Sequence, residues 1–159
     1  MTARYWRGFT VDPQGVLVSS TRVSPFTDGR FPTRRTIARP CPVEWAEVEH
    51  APAVRPFAGC RCGLYVWTGW RHRWMCQRIA APRIIAEVAV DGPVEASDGH
   101  CPLYPTRSSA RVYAFELLAL WLPGERHCLS CVADDDQHDA TGEDLAALGD
   151  RYGVPVGRL

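Results

Sequence analysis

The sequence predicts a mainly β (α+β) domain: a small curved sheet or barrel, stabilised by a metal site, with one C-terminal helix. Three observations lead to this fold class. Short runs rich in β-branched and aromatic residues lie between proline- and glycine-containing turns, as strands do. One segment near the C-terminus has a helical period and a capping residue. A histidine and several cysteines surround a region with little regular pattern, as metal ligands can.

The first strands form the clearest hairpin in the chain. The segment Arg4–Val11 carries Tyr5, Trp6 and Phe9, which favour a strand. Residues 12–15 read Asp-Pro-Gln-Gly, a four-residue turn with proline second and glycine fourth. Residues 16–18 then return as the partner strand.

The next region is predicted to be irregular. Residues 19–42 are polar, with four prolines, one glycine and several arginines, among them those at 30, 34, 35 and 39. A loop this long is unusual unless it is tied down or functional. Residues 43–50 are expected to form a short helical turn, and residues 51–59 another loop.

Three apolar segments follow. Residues 64–67 are predicted to form a strand, and residues 84–90 a stronger one. Asp-Gly-Pro at 91–93 is expected to turn the chain before residues 94–96. Residues 111–122 form a strand that continues as a further strand or as a short helix, since short apolar runs do not discriminate between the two.

The helix is predicted from about residue 143 to residue 152. Thr141 can cap it, and Asp144 suits the positive end of the helix dipole. Gly153 ends it, and residues 154–156 follow as an extended strap. Its expected apolar face consists of Leu145, Ala146, Leu148 and Tyr152.

The most specific motif is a C-x8-H-x9-C-x-C series formed by Cys41, His50, Cys60 and Cys62. Four soft ligands are the number that a tetrahedral structural zinc ion needs. Gly63 allows a tight turn that brings backbone amides toward the sulfurs. The alternative is a pair of buried thiols with an unrelated histidine.

A second cysteine group allows several interpretations. Cys128 and Cys131 form a C-x2-C pair, which with His100 or Cys101 would make a second metal site. The pair would otherwise complete the first site in place of Cys41 and His50, or remain two free thiols. A redox role is disfavoured because the acidic segment that follows raises thiol pKa values.

Charge is distributed unevenly along the chain. All 18 basic side chains are arginine, which fits a GC-rich genome or, alternatively, bidentate contacts to phosphate. Residues 1–83 carry 13 arginines against 5 acids, a net charge of +8, and residues 84–159 carry 5 against 13, a net charge of −8. This asymmetry indicates either a basic face for an anionic partner or two halves that attract each other.

An arginine- and tryptophan-rich stretch gives the basic half its most suggestive composition. Arginine contacts phosphate and tryptophan stacks on bases, so the stretch favours nucleic-acid binding. The alternative is that these tryptophans cover the core. The candidate nucleic-acid-binding residues are Trp70, Arg71, Arg73, Trp74 and Arg78.

The sequence argues against enzymes and membrane spans. It contains none of the phosphate-binding, dinucleotide, zinc-protease or nucleophile-elbow motifs. A Cys76–His72 nucleophile pair lacks a nearby Asp or Asn to orient the histidine. No apolar run approaches 18 residues, and the N-terminus lacks a secretory h-region. We therefore expect a cytoplasmic protein with reduced cysteines, forming one domain over residues 1–159.

Several short motifs resemble a family of uncharacterised small proteins from actinobacteria and their phages. These proteins open with Y-x-G-F, which is similar to Tyr5-Trp6-Arg7-Gly8-Phe9 here, one residue longer. They also carry an H-x-P…C-x-C-G-[LI]-Y core, here residues 50–52 and 60–65. The chain departs from the family at residues 70–83 and at the C-x2-C pair. The resemblance implies a shared metal site and no particular activity.

Together these observations predict a non-enzymatic binding module with a structural zinc ion, contacting nucleic acid through its Arg/Trp-rich N-terminal half. The alternative is a protein–protein adaptor or inhibitor, such as an accessory protein of a phage or mobile element. Salt dependence of binding would separate the two, because only phosphate contacts weaken steeply as salt rises.

Overall fold

The computed structural model describes residues 4–19, 29–41, 49–51, 55–60, 62–68, 84–97, 109–122 and 142–158. These residues form a curved mixed sheet of eight strands and one helix, which confirms the mainly β fold class with a C-terminal helix. The strands are β1 (Arg4–Val11), β2 (Leu17–Ser19), β3 (Arg30–Phe31), β4 (Arg35–Ile37), β5 (Leu64–Trp67), β6 (Ile84–Ser97), β7 (Ser109–Leu122) and β8 (Val156–Arg158), and the helix is α1 (Gly142–Tyr152).

The sheet curves because its central strands pair in a closed path. The long strands β6 and β7 are antiparallel partners, β6 also pairs with β1, and β7 also pairs with β5. Strand β5 meets β1 again at Trp6 and Trp67, which completes the path. Strands β2 and β3 extend the sheet from β1, while β4 and the parallel strand β8 add to β7.

Strand β6 continues where the sequence predicted a turn. The expectation for residues 91–93 is wrong, because the ladder with β7 shifts register between Asp91 and Val94 and then resumes. Gly92 makes this irregularity with φ of +79°, and a Cβ there would lie 3.0 Å from the Tyr113 Cβ. A β-bulge of this kind bends a strand without ending it. Residues 109–122 form a single strand, so the helix alternative for this segment is excluded.

The interpretation of residues 19–42 as wholly irregular is also wrong. Strand β3 pairs with β2, and β4 pairs with β7. Phe31 on β3 is fully buried, with its ring 5.1 Å from that of Phe9 and 5.9 Å from that of Phe115. Strands β3 and β4 are too short to show a strand period of their own. They are fixed by pairing with distant strands and, for β3, by burial of Phe31 in this aromatic cluster.

Arg7 lies inside this aromatic cluster. Its guanidinium carbon is 4.9 Å from the centroid of the Phe31 ring, and its Nη1 donates to the carbonyl oxygen of Tyr65 on β5. Burial lowers the pKa of Arg7 to about 10. This value is still well above 7, so the side chain stays charged at neutral pH. Since β1 and β5 share a single ladder pair, this hydrogen bond strengthens the junction that closes the path.

Helix α1 packs on the sheet through part of its predicted apolar face. Leu145, Leu148 and Tyr152 are buried, as their spacing at i, i+3 and i+7 predicts. Ala146 is exposed, which corrects its assignment to that face, because it lies one position beyond Leu145 and turns away from the sheet. Strand β8 then continues the predicted extended strap.

Three ion pairs connect the basic half of the chain with the acidic half. Their N–O distances are 2.7 Å for Arg4–Glu87, 2.9 Å for Arg34–Glu116 and 2.6 Å for Arg35–Asp91. For these three arginines the geometry favours attraction between the two halves of the domain over a free basic face. Within the described part of the chain, no helix is long and apolar enough to cross a membrane.

Candidate metal centre

The structure brings all four predicted ligands to one place. One ligand atom from each of Cys41, His50, Cys60 and Cys62 lies within 4.8 Å of every other. The sulfurs of Cys41 and Cys60 are 3.7 Å apart, and the sulfur of Cys62 is 3.8 Å from Nε2 of His50. The three cysteines are buried, and His50 is half-buried.

These distances match those around a tetrahedral ion. Two sulfurs that each lie about 2.3 Å from a tetrahedral zinc ion are about 3.8 Å apart, and a sulfur and a nitrogen are slightly closer. The observed sulfur–sulfur separation of 3.7 Å is the one expected around such an ion, the sulfur–nitrogen separation of 3.8 Å is slightly longer, and the remaining ligand pairs lie within 4.8 Å. A disulfide would need a much shorter separation, about 2.05 Å, and none of these three cysteines forms one.

The orientation of His50 suits a ligand. Its Nδ1 lies 3.0 Å from the carbonyl oxygen of Ala51, an acceptor to which only a protonated Nδ1 can donate. Nε2 is then the unprotonated nitrogen, and it faces the sulfur of Cys62. Such a hydrogen bond to the distal nitrogen commonly fixes the tautomer of a metal-binding histidine. The ring of Phe57 stacks on the imidazole with 4.6 Å between centroids.

The segment that carries Cys41 is fastened to strand β7. The amide of Ala38 donates to the carbonyl of Tyr113 over 2.8 Å, continuing beyond the end of β4. The Ala38 carbonyl accepts a 2.6 Å hydrogen bond from Nε of Arg55. The guanidinium of Arg55 lies over the Tyr113 ring at 5.1 Å. Cys41 and the loop of residues 55–60 are thus held against the same part of the sheet.

The C-x-C motif lies between a tight loop and strand β5. The amide of Cys60 donates to the carbonyl of Phe57 over 3.1 Å. Gly63 has φ of +109°, and a Cβ on it would lie 3.0 Å from the Pro56 Cβ and 3.2 Å from the Val112 carbonyl oxygen. Only glycine combines this backbone conformation with so close an approach. The glycine after the second thiol therefore has the tight-turn role that the sequence suggested.

The metal-free thiols of Cys41 and Cys62 hold their protons strongly. Burial raises the pKa of Cys41 to about 12, with hydrogen bonding to Cys60 contributing further. Burial also raises the pKa of Cys62. At neutral pH these thiols are poor nucleophiles, because the thiolate is the reactive form. A bound metal ion would displace their protons, as it does at cysteine sites generally.

The ligand set defines what the centre can do. Three thiolates and one imidazole fill four positions and leave none for water or substrate. A closed set is typical of structural sites, whereas catalytic sites keep a position open. The arrangement therefore supports a structural metal ion and gives no support to metal-dependent catalysis.

The remaining candidate residues lie outside the described part of the chain. This applies to both the possible second metal site and the Arg/Trp-rich stretch, so the assignments of both stay predictions. The first site has four ligands without calling on the C-x2-C pair. The residues concerned are Cys101, Cys128, Cys131, Trp70, Arg71, Arg73, Trp74 and Arg78.

Two contributors to the centre were missed by sequence reasoning. Phe57 stacks on the histidine, and Arg111 donates to the backbone next to the ligands. The one available signal was an arginine at the start of an otherwise largely apolar strand, where a buried charge needs a partner. For Phe57, in an irregular loop, the sequence offered no signal.

No protein-family model, curated protein or solved structure matches the chain. The resemblance to the actinobacterial and actinophage proteins therefore stays a prediction.

Proposed function

We propose that this chain is a non-enzymatic binding module in which Cys41, His50, Cys60 and Cys62 hold one structural zinc ion. The observation that carries the proposal is the convergence of four soft ligand atoms within 4.8 Å, three of them on buried cysteines. Thiolate ligands select soft or borderline ions, and a closed tetrahedral Cys3His set is a common structural zinc site.

The ion would hold the segment before β5 against the sheet. Its four ligands come from one stretch of 22 residues, between Cys41 after β4 and Cys62 before β5. This stretch includes the loop of residues 55–60, which has no regular secondary structure. Metal binding here would contribute directly to folding free energy.

We assign the binding role to nucleic acid, contacted by the stretch that contains Trp70, Arg71, Arg73, Trp74 and Arg78. Its support is the alternation of arginine and tryptophan, which suits phosphate contact and base stacking. The described arginines support the same choice of segment. Arg4 of β1 and Arg35 of β4 form ion pairs within the domain, and Arg7 of β1 is buried, which reduces their availability to an external anion.

Elemental analysis of protein purified without added metal tests the zinc site. We expect one zinc ion per chain, which Cys60→Ser should abolish or greatly weaken. Cys76→Ser removes a cysteine outside the proposed ligand set and serves as the matched control. A well-folded wild-type protein with less than about a tenth of an equivalent of zinc would contradict the proposal.

Titration of single- and double-stranded DNA and RNA at several salt concentrations tests the binding role. Arg71→Gln should weaken binding to all sequences and reduce the slope of log K against log salt by about one. Trp74→Ala should cost roughly 1–3 kcal/mol if the ring stacks on a base. Absence of binding to all four at low salt would reject the nucleic-acid assignment. A protein partner pulled down equally well from extracts with and without nuclease treatment would then favour the protein–protein adaptor alternative.

A further inference from the structure

Arg111 is a buried cation beside the metal centre. It lies on β7, opposite Tyr65 of β5 and Glu95 of β6 in the two ladders, and is 7% exposed. Its neighbours in the strand are held by pairing on both sides. The guanidinium therefore projects from one of the firmest parts of the sheet.

The guanidinium reaches the backbone on both sides of the C-x-C ligands. Its Nη1 donates to the carbonyl oxygen of Phe57 and to that of Cys62, each over 3.2 Å. Phe57 also stacks on His50, and its carbonyl accepts the amide of Cys60. Nη1 of Arg111 therefore connects β7 with the loop that carries Cys60 and Cys62 and with Phe57, which packs on His50.

The charge of Arg111 has no carboxylate partner within ion-pair distance among the described residues. Glu95 is its cross-strand neighbour, but the ion pairs found there do not join these two. A buried, uncompensated charge is costly. Three thiolates and one divalent ion carry a net charge of −1, which would compensate one adjacent arginine.

We infer that Arg111 is a positioning residue of the metal centre, which holds the ligand loop and balances the charge of the three-thiolate site. This inference rests on the proposed zinc site and extends it to the shell around the ligands. Hydrogen bonds around metal ligands commonly contribute about 10–100-fold to metal affinity. Without the ion, Arg111 would be a buried cation facing neutral thiols.

Competition with a chromophoric zinc chelator would test the inference. Arg111→Gln removes the charge, Arg111→Met fills similar space without charge, and Arg111→Lys keeps the charge and can still donate. We expect the Gln and Met variants to bind zinc about 10–100-fold more weakly, and the Lys variant to recover most of the affinity. Glu95→Gln, on the opposite side of the ladder pair, is the matched control and should bind zinc as the wild type does.

A second readout separates positioning from general loss of stability. Substitution of Co²⁺ for zinc reports the geometry of the thiolate ligands through its visible absorption bands. These bands should shift or broaden in the Gln and Met variants and be restored in the Lys variant. A variant that merely loosened the fold would keep the wild-type bands at saturating Co²⁺.

The outcomes distinguish this inference from the proposed function. A wild-type chain that binds no zinc would overturn the zinc site itself. A wild-type chain that binds zinc, with Gln and Met variants of equal affinity and unchanged Co²⁺ bands, would overturn the role of Arg111 alone. An equal loss of zinc affinity in Glu95→Gln would also overturn it. The loss would then come from disturbing the paired strands at this position and not from the Arg111 guanidinium. If Arg111→Gln does not fold, the comparison of zinc affinity between Arg111→Met and Arg111→Lys tests the inference instead.

Discussion

The hydroxyl of Tyr152, on the last turn of α1, donates a 2.7 Å hydrogen bond to the carbonyl oxygen of Phe31 on β3. The hydroxyl oxygen of Tyr152 in turn accepts a hydrogen bond from the amide of Leu17 on β2 over 3.0 Å. Burial raises the pKa of Tyr152, so the hydroxyl stays protonated and able to donate at neutral pH. One side chain thereby connects the C-terminal helix with both short strands that extend the sheet from β1.

Tyr152→Phe should destabilise the protein by about 1–3 kcal/mol, because it leaves a buried amide and a buried carbonyl without their partner. Denaturant unfolding followed by circular dichroism measures the change. Tyr5→Phe is the control, since no hydrogen bond of the Tyr5 hydroxyl is found among the described residues, and it should have little effect. Equal unfolding free energies for wild type and Tyr152→Phe would show that the hydroxyl does not fasten the helix.

Leu148→Ala should cost on the order of 2–5 kcal/mol, since the side chain is buried between helix and sheet and its removal leaves a cavity. This would be a large share of a typical domain's stability. Ala147→Ser, at the exposed neighbouring position, should change stability by less than about 1 kcal/mol. Affinity for the binding partner should be unchanged in the folded fraction. An unaltered unfolding midpoint for Leu148→Ala would mean that α1 is not packed as described.

Local pattern predicted the elements whose residues carry their own signal. Strands β1 and β5 have the expected bounds, because aromatic and β-branched residues fill them and turns flank them. The four ligands of the centre were predictable for a similar reason, since cysteine and histidine are the usual zinc ligands and are recognisable in the sequence itself.

Elements fixed by distant partners were not predictable. Strands β3 and β4 are two and three residues long, and pairing with β2 and β7 defines them. The Asp-Gly-Pro segment has the composition of a turn, but the ladder with β7 continues on both sides and makes it a bulge. Arg111 joins the centre only because the fold brings β7 to the C-x-C loop.

Gly63→Ala should destabilise the protein by about 1–3 kcal/mol and weaken metal binding, because φ of +109° strains any residue with a Cβ. The added methyl would also press on the Pro56 Cβ and the Val112 carbonyl. Thermal unfolding and zinc competition measure the two effects. Gly15→Ala, at φ of +71° with nothing within 4 Å, separates strain from contact and should lower stability without lowering zinc affinity. Wild-type zinc affinity in Gly63→Ala would refute the role of the tight turn.

Asp12 should make the first hairpin sensitive to acid. Its carboxylate accepts the amides of Val16 and Gln14, each over 2.9 Å, and pairs with Arg30 at 2.7 Å. The Val16 amide is the largest cause of the lowered pKa of Asp12. Because the folded state favours the ionised form, this stabilisation is complete above the ordinary aspartate pKa of about 3.9. It is lost as pH falls through the lower pKa of the folded state.

Asp12→Asn should therefore be less stable than the wild type at neutral pH, and the difference should shrink as the wild-type carboxylate becomes protonated. Urea unfolding at a series of pH values between about 6 and 2 measures it. Asp150→Asn removes an exposed charge on α1 and leaves the turn intact, so it should stay close to the wild type throughout. A constant difference between Asp12→Asn and the wild type across the series would contradict the pKa assignment.

Removal of the metal should loosen residues 38–41 and 55–62, around the ligands, and leave the sheet folded. The described residues around the ligands, 41, 49–51, 55–60 and 62, belong to no strand or helix, so the ion would provide much of their order. The long β6–β7 ladder and the buried face of α1 do not depend on the centre for their pairing or packing. Amide hydrogen exchange before and after chelation can resolve the two regions, since local opening exchanges amides without global unfolding. We expect faster exchange in residues 38–41 and 55–62, restored by added zinc and not by magnesium, with β6 and α1 as internal controls. Unchanged exchange around the ligands after complete zinc removal would show that the loop holds itself, and the ion would then have no structural role there.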